Sequence, residues 1–114
     1  MKKILLIDDD DIILTTFEHM LSNLNYKVTT IRDSRKGLQV ALDEDFDLIL
    51  TDCQMPYLSG IELIQKLKEI KKEINIYILT GALDEEQIKQ IHSAGVTGII
   101  EKPFNIKQIV ALLD

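Results

Sequence analysis

A chain of 114 residues has room for one hydrophobic core, so a single domain over residues 1–114 is expected and a multidomain enzyme is excluded. Hydrophobic residues make up 46% and charged residues 28%, the composition of a globular chain rather than a disordered or fibrous one. The formal net charge of −6 argues against a broad basic surface for direct nucleic-acid or anionic-membrane binding, and so favours a protein or small-molecule partner. Cys53 stands alone and cannot close an internal disulfide. No apolar stretch approaches the roughly 20 residues of a membrane span. The expectation is a soluble protein of a reducing, cytoplasmic compartment.

Apolar runs alternate with helical patterns along the chain. Lys3–Ile7 is a short continuous apolar run, the mark of a strand buried on both faces, and it stops at Asp8, Asp9, Asp10 and Asp11. Ile13, Phe17, Met20, Leu21 and Leu24 then recur at helical spacing, with Asp10 or Asp11 as N-cap. Residues 26–31 are rich in β-branched side chains and predict a second strand, followed by Asp33 or Ser34 as cap of a helix carrying Leu38, Val40, Ala41 and Leu42. Residues 47–51 predict a third strand ending at Asp52, and the stretch Cys53–Gly60, with Pro56, Ser59 and Gly60, predicts a loop. Ile61, Ile64, Leu67 and Ile70 continue as an amphipathic helix, and residues 75–79 form a fourth strand ending at Thr80 and Gly81. A helix over residues 84–94 is stopped by Gly95, Gly98–Glu101 is a short fifth strand, and Asn105 caps a last helix through Leu113.

Five strands alternating with five helices imply an α/β fold, a doubly wound parallel sheet covered on both faces. Ligands of such sheets bind beyond the carboxyl ends of the strands, which places Asp8, Asp9, Asp52, Thr80 and Lys102 on one edge. Carboxylates gathered in one pocket repel unless a cation neutralises them, and an open all-oxygen site suits Mg2+ completed by phosphate oxygens. Lys102 offers a mobile positive charge and Thr80 a hydroxyl for phosphoryl oxygens, while Asp52 is the carboxylate placed to act as nucleophile.

Four motifs now stand together: Ile4–Asp10, Asp52–Gly60, Thr80-Gly81 and Glu101-Lys102-Pro103-Phe104. In their order and spacing they resemble the receiver domain of two-component response regulators, over essentially the whole chain. The resemblance implies the CheY-like, flavodoxin-like strand order 2-1-3-4-5 and a phosphorelay function. It implies that Asp52 accepts a phosphoryl group from a phosphohistidine on a histidine kinase or histidine phosphotransfer protein. Asp9 and Asp52 would then ligate Mg2+ directly, Asp8 through water and Gln54 through its backbone carbonyl, with Thr80 and Lys102 contacting the phosphoryl group. It further implies a cis Lys102–Pro103 bond, Gln54 and Ala82 as positions that tune dephosphorylation, and a downstream output protein or domain. Such a chain is no turnover enzyme but catalyses its own aspartyl phosphorylation and dephosphorylation. The family's usual aromatic three residues before the lysine is Ile99 here, so its switch, between Thr80 and a face built from the fourth helix, fifth strand and fifth helix, works without a ring. Lys89, Gln90 and Ser93 fall in that region.

Ile12 and Leu14 fall outside the predicted apolar stripe of the first helix, beside the acidic edge and near Phe104. With Phe104 they are expected to dock the phosphodonor. His19, His92 and Cys53 are expected to play no ligand or catalytic part. Two rival readings exist: a haloacid-dehalogenase-type phosphatase with Asp8 as nucleophile, and an unphosphorylated receiver-like binding module.

Overall fold

Ile4, Leu5, Leu6 and Ile7 are all fully buried, which requires cover on both faces of the strand they form. In the computed structural model, which describes residues 1–81 and 83–113, that strand is β1 (Lys3–Ile7). It is followed by α1 (Asp11–Asn23), β2 (Lys27–Ile31), α2 (Ser34–Asp43), β3 (Leu48–Asp52) and α3 (Gly60–Ile70). β4 (Ile76–Thr80), α4 (Glu85–Ser93), β5 (Gly98–Glu101) and α5 (Ile106–Ala111) complete the alternation. All pairings are parallel in the order β2-β1-β3-β4-β5, so β1 and β3 lie inside the sheet and β2 and β5 at its edges. Ala82, expected from the resemblance to tune dephosphorylation, lies outside the described residues.

Alternate side chains of each strand feed two cores. Leu5, Ile7, Ile49, Ile76 and Ile78 pack with Ala41 of α2, Leu63, Ile64 and Leu67 of α3 and Ile91 of α4. Ile4, Leu6, Leu48, Leu50, Leu79 and Ile100 pack with Leu14 and Leu21 of α1 and Ile109 of α5. Each helix starts on a polar cap. Asp10 accepts from the Ile12 amide at 2.9 Å and Asp33 from the Arg35 amide at 2.9 Å, while Ser59–Glu62, Asp84–Gln87 and Asn105–Gln108 form reciprocal capping boxes. Gly95, with φ 97°, ends the α4 segment in the left-handed region.

Two sequence expectations shift. β3 and β4 extend through Asp52 and Thr80, so both functional candidates sit on the ladder itself, opposite Leu79 and Glu101 respectively. The apolar stripe of α1 is rotated from the predicted one: Leu14 is 5% exposed and Leu21 fully buried, whereas Ile13, Phe17 and Met20 are half-buried. Leu14 and Leu21 lie two turns apart on one line, with Phe17 between them, and that line faces the sheet. The placement of Leu14 on a docking surface is therefore corrected: its side chain belongs to the core.

Candidate phosphoryl-acceptor and metal site

The site is built at the carboxyl ends of β1, β3, β4 and β5, with Asp52 and Thr80 on the strands themselves and Asp8, Asp9 and Lys102 directly after them. Asp8 follows β1 and is completely buried. One of its carboxylate oxygens accepts from the Asp10 amide at 3.0 Å, and the other from Lys102 Nζ at 3.2 Å. Asp52 ends β3, is 8% exposed, and accepts from the same Nζ at 3.3 Å. Asp9 is exposed, so the cluster has an open side. Oxygens of Asp8, Asp9 and Asp52 lie within 4.8 Å of one another. Three hard oxygen donors with one open side fit a small divalent cation that keeps some of its water.

Lys102 is tied to the sheet through its amide, which donates to the Thr80 carbonyl at 2.6 Å, and the Lys102–Pro103 bond is cis, as the resemblance implies. Asp52, Cys53, Gln54, Thr80, Gly81 and Lys102 line one cleft of about 350 Å³. Gly60 makes this geometry possible: a Cβ there would stand 2.3 Å from the Asp52 carbonyl oxygen, so only glycine lets α3 start against the end of β3.

Charge in the cleft is frustrated. Burial pushes the Asp52 carboxyl up, Asp8 pushes it further, and Lys102 opposes both, leaving it at about 6. Burial works against the Lys102 ammonium, but Asp8 and Asp52 outweigh it and hold its pKa above the ordinary lysine value. Burial and the neighbouring Asp52 likewise raise the Cys53 thiol, so it carries no thiolate at neutral pH. That agrees with a packed rather than a reactive cysteine.

Other candidates lie around this centre. Ile12 is 76% exposed on α1, and Phe104 is half-buried with its ring 4.6 Å from that of Phe17. Ile99 is half-buried against the core under α4. Lys89, Gln90 and Ser93 face the other way, lining a groove with Ile61 and Gln65 of α3. His19 and His92 are both exposed, the latter in the last turn of α4.

The sequence reading missed a second cavity, of about 230 Å³, that touches Asp9 and is lined by Arg32, Asp33, Ser34, Pro56 and Tyr57. Arg32 Nε pairs with Asp11 at 2.9 Å, and the Arg35 guanidinium lies 3.9 Å from the centre of the Tyr57 ring. The chain has only two arginines, Arg32 in the turn after β2 and Arg35 in the first turn of α2. That clustering was the available signal.

A family pattern described as the response regulator receiver domain matches residues 4–114. The alkaline phosphatase synthesis transcriptional regulatory protein PhoP of Bacillus subtilis is 36% identical over 111 residues, which cover 96% of this chain and 46% of that protein. The chain thus spans about half the length of the curated relatives it matches. Chemotaxis response regulator CheY4 of Vibrio cholerae superimposes with a TM-score of 0.89 at 31% identity, covering 99% of both chains. The receiver domain of sensor histidine kinase PA1611 from Pseudomonas aeruginosa, with a magnesium ion coordinated in its active-site cleft, gives 0.87 at 28% identity over 98% of this chain and 93% of that one. Nothing among these similarities supports a haloacid-dehalogenase-type phosphatase. With its order of strands and its acidic edge, this chain belongs to the response regulator receiver domain family of two-component phosphorelay signalling.

Proposed function

We propose that Asp52 takes a phosphoryl group from a phosphohistidine on a histidine kinase or phosphotransfer protein, with Mg2+ bound by Asp8, Asp9, Asp52 and the Gln54 carbonyl. The observation that carries this reading is the convergence of three carboxylates within 4.8 Å of one another, two of them on Lys102. An Asp52 oxygen forms the new bond to phosphorus, the bond from phosphorus to the imidazole nitrogen breaks, and its electron pair stays on the imidazole. Bound Mg2+ supplies charge neutralisation for the carboxylates and the phosphoryl oxygens. Lys102 exchanges its contact with Asp52 for a phosphoryl oxygen, and the Thr80 hydroxyl donates to another. Water later hydrolyses the acyl phosphate, which returns Asp52 without a separate turnover substrate.

In this reading the new charge draws Thr80 and Lys102 inward and shifts a two-state equilibrium at α4, β5 and α5, the face offered to an output protein or domain. Ile99 takes part by repacking, since it has no ring to rotate. The protein works in the cytoplasm, where such phosphodonors are made. Incubation with Mg2+ and acetyl phosphate, read by intact mass, should give a single phosphoryl adduct that requires Mg2+ and is absent from Asp52→Asn. An adduct of equal yield in Asp52→Asn would overturn the assignment.

Ile12 and Phe104, beside the cleft, form the docking surface for the phosphodonor in this reading; Leu14 does not take part. Ile12→Glu should slow transfer from a phosphohistidine protein by about ten-fold, the scale of an anchoring interface residue, and leave acetyl phosphate labelling unchanged. Equal slowing of both reactions would remove Ile12 from the interface.

A further inference from the structure

The segment 53–59 that joins β3 to α3 carries Gln54, yet much of what holds it comes from the first turn of α2. Ser34, 1% exposed, donates from Oγ to the Pro56 carbonyl at 3.2 Å. The next residue, Arg35, lays its guanidinium 3.9 Å from the centre of the Tyr57 ring. That guanidinium is itself held in place by Asp33, through Nε at 3.1 Å and Nη2 at 2.8 Å. A planar cation fixed in this way is already oriented to stack, so little freedom is lost on contact.

Tyr57 needs such a hold. Its φ of 71° lies in the left-handed region, unfavourable for a residue with a Cβ, and persists where surrounding contacts fix it. The end of β2, just before this helix start, reaches the other half of the acidic cluster: the Asp8 amide donates to the carbonyl of Ile31, the last residue of β2, at 3.2 Å. The junction of β2 and α2 therefore braces both the Asp8–Asp9 segment and the Gln54 segment, and the cavity beside Asp9 is the space between them.

We propose that Ser34, Arg35 and Tyr57 form a clasp that holds the β3–α3 loop in the conformation that binds the divalent cation. They are positioning residues. The inference rests on the metal reading given above, and goes beyond it by making cation affinity depend on side chains outside the cleft of Asp52, Thr80 and Lys102. When the clasp is open, the loop samples conformations in which its carbonyl points elsewhere, and bound cation is disfavoured by the fraction of time the clasp is broken.

Calorimetric titration of Mg2+ into the unphosphorylated protein tests this directly. Arg35→Ala and Tyr57→Gly should each weaken Mg2+ binding by about two- to five-fold, the range of an exposed cation–π contact. Tyr57→Phe, which keeps the ring face, should bind as the unsubstituted protein does. Combining Arg35→Ala with Tyr57→Gly should weaken binding no more than the stronger single change, because both remove one contact. Glycine suits a φ of 71°, so Tyr57→Gly removes the ring without backbone strain, and a native far-UV circular dichroism spectrum at the titration temperature separates weakened binding from misfolding. At saturating Mg2+ the acetyl phosphate labelling rate of both variants should return to that of the unsubstituted protein. Unchanged affinity in Arg35→Ala and Tyr57→Gly would overturn the clasp, as would a Tyr57→Phe variant as weak as Tyr57→Gly, or labelling that stays slow at saturating Mg2+. Failure of the unsubstituted protein itself to bind Mg2+ would overturn the metal reading and the clasp with it.

Discussion

Lys102→Met lowers the stability of the metal-free protein by about 2 kcal/mol at pH 7, and millimolar Mg2+ restores most of the loss. Asp8 is fully buried, Asp52 nearly so, and the Lys102 ammonium stands 3.2 and 3.3 Å from their oxygens. Breaking one partner of a buried ion pair costs about 3–5 kcal/mol. The cost is smaller here because the Lys102 side chain is 27% exposed and because Asp52, already at about 6, takes up a proton once its cation is gone. A divalent cation among the three carboxylates replaces the missing charge, which makes the defect metal-dependent. Urea unfolding of both proteins with and without Mg2+ checks this. A variant as stable as the unsubstituted protein without metal would show that Lys102 does not carry the charge balance of the site.

The second large effect has the opposite sign. Asp52→Asn raises stability by about 2 kcal/mol at pH 7 without metal, and most of the gain is gone at pH 4. The Asp52 carboxyl stands at about 6 in the folded chain against 3.8 as its ordinary value, held up first by burial and then by Asp8. Between those values the folded state keeps a proton that the unfolded state has released. Stability therefore falls as pH rises through that window, and above it the whole cost of an ionised, buried Asp52 is present. Asparagine has no proton to lose and escapes the cost. Thermal unfolding of the two proteins from pH 4 to pH 7.5 reads the difference; curves that keep a constant separation would contradict it. Asp52 is thus held at a cost to the fold, the pattern of a group kept for chemistry rather than stability.

The sequence was most legible where an apolar run ended in a charge. Ile4–Ile7 and Leu48–Thr51 could hide only between two helical layers, so the acids that follow had to emerge at one edge of the sheet, and the structure places Asp8 and Asp52 there. Polar caps were equally readable, since Asp10, Asp33 and Asn105 each precede a helical stripe. The rotation of α1 was not. Ile12, Ile13 and Leu14 are consecutive apolar residues, and periodicity alone allows more than one choice of which faces the sheet. The choice fell to Leu14 through its alignment with Leu21 over the strand residues Ile4 and Leu6.

The clasp was hidden for a different reason. Arg35 and Tyr57 are distant in the chain, and their contact depends on β2 lying next to β1 and β1 next to β3, together with a left-handed turn at a tyrosine. Of the two cap candidates, Asp33 takes the cap and Ser34 faces the Pro56 carbonyl instead. Ile99 shows how a departure from a family pattern can be read as a residue but not as a motion. Its half-buried position against the core under α4 is visible, while its part in the proposed switch is not.

Chemical trapping tests most directly whether Asp52 is the acceptor. Protein treated with Mg2+ and acetyl phosphate is reduced with borohydride, which converts an aspartyl phosphate to homoserine, and the peptides are sequenced by tandem mass spectrometry. Homoserine at position 52, and only when Mg2+ is present, is the predicted result; homoserine at position 8, with Asp52 intact, would contradict the account.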